Sequence, residues 1–140
     1  MTVAVVLVLL AVTVAGLVIG IAMETGPTAA EVAVGYEHAW DRLDFDAVWH
    51  LSGEELRDGR SRAEFVAAKR AAYAEQPGLR RLTADVEVED AVTAADGARV
   101  VTRVTLRDGS VVRDELRLVR RRGEWEVVGY ELLGVGGVAG

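Results

Sequence analysis

The sequence has no cysteine, two histidines and two prolines. It also lacks asparagine, and its only lysine is Lys69. Without Cys there are no disulfides, thiolate nucleophiles or Cys-based metal sites. His38 and His50 are too few for a His-rich metal centre, so neither a metal nor a cofactor is expected. The net charge of −6 argues against nucleic acid as a partner. Of the 16 basic residues all but Lys69 are Arg, and Ala and Val abound, a skew that suggests a GC-rich, bacterial coding sequence. The most informative absence is local. No charged side chain occurs in the first 23 positions, so all 22 acidic and 16 basic residues lie beyond them.

Thr2 to Met23 is apolar apart from two Thr and two Gly. As a helix it would be about 33 Å long, enough to cross a hydrocarbon core of about 30 Å. Residues 1–23 are therefore expected to be a single-pass transmembrane anchor. A secretory signal peptide is the rival reading, because Gly20-Ile21-Ala22 has small-x-small character. A basic n-region is missing, however, and the apolar run exceeds the usual h-region. Gly16 and Gly20 form a G-x-x-x-G spacing that would let two membrane helices approach closely, although Gly is frequent in membrane helices generally. No Lys or Arg flanks the segment until Arg42, so orientation rests on the very short N-terminus. It favours the plasma membrane with the domain on the extracytoplasmic side.

Residues 24–27 read as a linker, and 28–133 as one domain. Thr28 with Glu31 forms a capping box. Ala29, Val32, Ala33, Tyr36, Ala39, Trp40 and Leu43 then mark one buried helical stripe. Asp44 caps a second, short helix over Phe45 to Leu51. Ser61 with Glu64 caps a third, with Phe65, Val66, Lys69, Ala72 and Tyr73 inward. From Leu79 the apolar period becomes two, with Leu82, Ala84, Val86 and Val88 on one side, which predicts strands. Ala95-Asp96-Gly97, Arg107-Asp108-Gly109 and Arg121-Arg122-Gly123 each predict a three-residue hairpin loop with Gly in a left-handed conformation. The fold class is α+β: three helices on a four-stranded antiparallel meander. Residues 134–140 read as a flexible glycine-rich tail.

Three odd-length loops would hold even-numbered residues on one face of every strand. This predicts the rows Val88, Val104, Val112, Leu132 and Val92, Val100, Leu116, Val128. Between them lies a polar row, Asp90, Thr102, Asp114, Tyr130. A carboxylate facing a core needs a partner, and Tyr130 or Thr102 could serve Asp114. Tyr36, Trp40, Asp90, Thr102, Asp114 and Tyr130 are thus the candidate ligand-binding residues; no catalytic set is assigned. The same register places Arg103 beside Arg113 on the wet face, an unfavourable contact that a two-residue slip would relieve.

Tyr36-Glu-His-Ala-Trp40 followed by Asp44-Phe45-Asp46-Ala47-Val48-Trp49 resembles the first helix, acidic cap and second helix of the NTF2-like superfamily. Gly123-Glu124-Trp125-Glu126-Val127-Val128-Gly129-Tyr130 resembles its closing strand. The resemblance covers Thr28 to Leu133 and implies a cone, a curved sheet wrapped around a helical layer. It is to the ketosteroid isomerase-like branch and to membrane-tethered actinobacterial members. It implies a hydrogen-bond-donor role for Tyr36. The position of the isomerase base falls on Arg60, with Asp58 two residues earlier, and that of its late-sheet acid falls near Arg121, so the isomerase set is incomplete.

Three functions follow. The first is a membrane-anchored, non-catalytic accessory domain binding a protein partner or a small apolar ligand. The second is an acid–base isomerase, dehydratase or cyclase acting on a hydrophobic carbonyl compound, with Asp114 or Asp90 as base and Tyr36 or Tyr130 as donor. The third is a structural homodimer module using an outer sheet face with Val101, Val119 and Trp125.

Overall fold

The computed structural model describes residues 26–136. The expected anchor, residues 24 and 25 of the expected linker and residues 137–140 of the expected tail lie outside this range. No helix among the described residues is long and apolar enough to cross a membrane.

Among the described residues three α-helices precede four strands. Helix α1 spans Ala29–Asp41, α2 Phe45–Leu51 and α3 Arg62–Tyr73, with 3-10 turns at Glu54–Leu56 and Pro77–Leu79. Strands β1 (Thr83–Thr93), β2 (Gly97–Leu106), β3 (Val111–Arg121) and β4 (Glu124–Gly136) form one antiparallel sheet in the order β1-β2-β3-β4. This is the chain order expected of an NTF2-like cone.

Both expected capping boxes are formed. Thr28 Oγ1 accepts from Glu31 N–H while Glu31 accepts from Thr28 N–H, and Ser61 and Glu64 do the same. Each box satisfies donors that a helix start leaves without partners. Asp44 caps α2 by accepting from Ala47 N–H at 3.2 Å. The apolar stripe of α1 packs with Phe45, Val48, Phe65 and Val66 against Val100, Leu116, Leu118 and Val127 of the sheet. Ala72 of the expected α3 stripe is exposed instead. Lys69 lays its ammonium 5.3 Å from the Phe65 ring centre and 3.7 Å from Asp58, so its stem snorkels past the core edge.

The inner strands pair as the alternation predicts: Val104 with Val112, Thr102 with Asp114 and Val100 with Leu116. The edge strands differ. Irregularities at Ala84 and Glu89 in β1, and at Val128 and Leu133 in β4, each insert a residue and reverse the side-chain parity. Val88 therefore faces Thr102, Ala91 takes the place expected for Val92, Tyr130 stands opposite Leu116 where Val128 was expected, and Val127 faces inward opposite Leu118. Trp125 turns inward and packs on the core, and Val101 is already buried, so the expected outer apolar face is not assembled. Strand β4 runs on to Gly136, with Val135 opposite Val112, where a frayed tail was expected from Gly134.

Arg103 does stand opposite Arg113. Relief comes from the β1 irregularity rather than from a slip: Glu89 receives Arg113 through two hydrogen bonds of 2.7 and 2.9 Å. The hairpin turns also differ from expectation. Gly97 begins β2 without positive φ, and the second loop has four residues, Arg107–Ser110. The third is a two-residue turn in which Arg122 (φ 53°) and Gly123 (φ 77°) are both left-handed, the signature of type I′.

These assignments predict a contrast. Gly123→Ala should destabilise by about 1–2 kcal/mol, because a Cβ disfavours positive φ. Gly97→Ala should cost little, since an added Cβ there meets nothing closer than Leu118 O at 3.9 Å. Denaturant titration of the two variants checks this; equal losses would contradict the turn assignment.

Candidate functional site

The α1 stripe brings a carboxyl with it. Glu37 lies four residues after Ala33 and three before Trp40, hence on the same helical face. It is only 8% exposed, pressed against the middle of the sheet. Beneath it the register sets Thr102 beside Asp114, which are 0% and 2% exposed. Tyr130 arrives from β4, opposite Leu116, one pair further along because the two-residue Arg122-Gly123 turn and the Val128 irregularity displace that strand.

Four polar side chains from one helix and three strands thus meet. Thr102 Oγ1 donates to Glu37 Oε1 at 2.8 Å, and the Tyr130 hydroxyl donates to Glu37 Oε2 at 3.4 Å. The Asp114 carboxyl adjoins both Glu37 and the Tyr130 hydroxyl. Thr102, expected to serve Asp114, serves Glu37 instead. Asp114 Oδ1 is buried with no hydrogen-bond partner among the described residues. A donor for this carboxyl would be a proton on the adjoining Glu37.

Electrostatics favour that proton. Burial first, and then the Asp114 charge, push the Glu37 pKa from 4.5 up to about 8. Burial of its hydroxyl end and the neighbouring acid charge also raise the Tyr130 pKa, although the residue as a whole is 44% exposed. Tyr130 therefore remains a neutral donor at the rim. Near neutral pH the raised pKa keeps Glu37 a carboxylic acid, set beside Asp114 and two hydroxyls. The cluster can hold or hand over a proton, but its acids lie beneath the surface.

The other expected site residues are placed differently. Tyr36 packs its ring 6.0 Å from that of Tyr130, and its hydroxyl lies beside Trp40 and Ser52, within reach of the Glu37 charge. Burial raises its pKa. Trp40 belongs to an aromatic cluster with Tyr36, Phe45 and Tyr73. Asp90 is on the opposite face: the register of the β1–β2 hairpin sets it outward, opposite Val101, with its carboxylate 3.6 Å from Arg99. Glu37 was missed by sequence reasoning. Its signal was an acid inside an otherwise apolar helical face. Among the described residues no group of three or more acidic, His or Cys side chains is arranged to hold a metal.

The chain is similar in fold to a SEC-C motif containing protein from Rhodopseudomonas palustris. The TM-score is 0.55 at 17% identity, covering 77% of this chain and 83% of the other. Two further similarities have a TM-score of 0.48. One is to a putative NTF2-like transpeptidase from Campylobacter jejuni, at 16% identity over 68% of this chain and 92% of that one. The other is to an NTF-2 like protein of unknown function from Silicibacter pomeroyi, at 18% identity over 72% and 89%. No family model and no curated protein matches the sequence.

The raised Glu37 pKa predicts how stability varies with pH. The unfolded chain releases this proton near 4.5, whereas the folded chain retains it to about 8. The stabilising contribution is thus complete below 4.5, declines as pH rises, and is lost once pH passes about 8. Glu37→Gln should abolish this decline and stabilise the protein above pH 8 by a few kcal/mol, on the order of 1.4 kcal/mol per pKa unit removed. Asp114→Asn should move the decline to lower pH. Melting curves from pH 4 to 9 check both; a wild-type profile unchanged by Glu37→Gln would refute the proton retained by Glu37.

Proposed function

We propose that this chain is a membrane-tethered, extracytoplasmic NTF2-like accessory domain, non-catalytic, whose open concave sheet face binds an apolar group of a protein partner or a small ligand. The tether is residues 1–23. The observation that carries the reading is a contrast on one face of the sheet. Asp114 and Glu37 are sealed, at 2% and 8% exposure, with Glu37 held by Thr102 and Tyr130. Beside them Val88, Tyr130, Leu132 and Val135 are 39%, 44%, 55% and 67% exposed. Water-accessible apolar side chains grouped on a concave face favour a binding surface. The face offers apolar contact and one tyrosine hydroxyl, while its acids keep to each other.

A second reading, an acid–base enzyme acting on a hydrophobic carbonyl compound, draws support from one feature. A carboxyl held protonated to about pH 8 beside Asp114, with Tyr130 above, is an acid and a base in contact. It would require the helix to yield before a substrate reached the pair.

Binding of an apolar fluorescent probe separates the readings. Leu132→Asp and Val135→Asp should weaken probe binding several-fold while Glu37→Gln leaves it intact. Exchange of α-protons of a hydrophobic ketone in D2O, present in the wild type and lost in Asp114→Asn, would instead favour the enzyme.

The tether has its own test. In intact spheroplasts an added protease should digest the domain, and full protection would sink the extracytoplasmic orientation.

A further inference from the structure

At the C-terminal end of α1, away from the acid cluster, Leu43, Asp44, Phe45, Arg70, Tyr73, Ala74 and Arg80 line a cavity of about 410 Å³. We propose that it is a binding site for an oxyanion, phosphate or carboxylate, carried on an aromatic or similarly flat apolar body.

Its walls divide the task. Phe45 and Tyr73, with ring centres 5.6 Å apart, supply an apolar aromatic side. Arg70 and Arg80 supply two guanidinium forks, the group best matched to planar oxyanions. Neither fork is firmly committed. Arg70 reaches Asp46 only at 3.7 Å, because the same carboxylate is held by Arg62 at 2.8 Å. Arg80 makes no ion pair among the described residues. The one acid in the lining, Asp44, is engaged in capping α2 through Ala47 N–H.

The surroundings reinforce the sign. Arg81 N–H donates to Asp41 O at 2.7 Å, and Arg107 Nε donates to Arg81 O at 2.8 Å, which ties this connection to the end of α1. Arg42 is the C-cap of that helix. Asp41 and Asp46 are the other acids close by, but Asp41 accepts from Thr83 N–H at 2.9 Å and Asp46 is held by Arg62 at 2.8 Å. The site shares no lining residue with the Glu37–Asp114 pair, so it does not rest on the reading of the concave face. It also lies about 20 Å along α1 from Thr28, by the 1.5 Å rise of its 13 residues.

The test is calorimetric titration of the full chain in nonionic detergent with phenyl phosphate, 3-phenylpropionate, inorganic phosphate and benzyl alcohol. At least one of the two aromatic anions should bind at least about tenfold more tightly than either fragment, and the tighter of them identifies the preferred oxyanion. Arg70→Gln and Arg80→Gln should each weaken that binding about tenfold, while Arg103→Gln on the opposite sheet face leaves it unchanged. Binding of neither aromatic anion, equal affinity for inorganic phosphate, or affinity unmoved by the double Arg variant would overturn the proposal.

Discussion

One buried carboxyl joins the helical layer to the sheet. Glu37 is the only carboxyl that α1 buries, and it descends onto β2, β3 and β4 at once through Thr102, Asp114 and Tyr130. Burial and the neighbouring Asp114 both oppose a charge on Glu37, so its pKa is raised. The rest of the packing is compatible with that seam: a valine and leucine floor beneath, and an aromatic cluster at the end of α1.

A polar seam in an apolar core costs stability compared with well-packed hydrophobic side chains. What it adds is register. Thr102, Asp114 and Tyr130 must come to one point for Glu37 to be satisfied, so sliding β3 or β4 by a pair would leave a buried acid without partners. The irregularities of the edge strands become intelligible here. The one at Val128 turns Tyr130 inward toward the acids, while the register of the β1–β2 hairpin sets Asp90 opposite Val101 on the other face, leaving two acids in the seam rather than three.

Much of this was legible in the sequence. Helix starts were written in Thr28-x-x-Glu31 and Ser61-x-x-Glu64, and strand pairing within β2 and β3 followed from alternation alone. Three members of the polar cluster, Thr102, Asp114 and Tyr130, were readable by parity. Edge-strand irregularities were not, because an inserted residue carries no compositional mark and period-two patterning survives it on either side. Tertiary context decided those positions. Glu37 escaped for a different reason: a stripe drawn from apolar residues leaves out the one acid that shares its face.

The two edges of the sheet have their own consequence. A four-stranded meander leaves two rows of backbone donors and acceptors that another chain could pair with. Strand β1 answers with Asp85, Glu87, Glu89 and Asp90, and with two inserted residues that break its regular ladder. The outer side of β4 is met near Val127 by the segment after α2, where Gly53 N–H donates to Val127 O at 2.8 Å and Ser52 forms a bridge. Gly53 is required for that approach, since a Cβ would stand 2.8 Å from a Val128 methyl group. Both borders therefore discourage copies of the chain from stacking edge to edge into extended fibres.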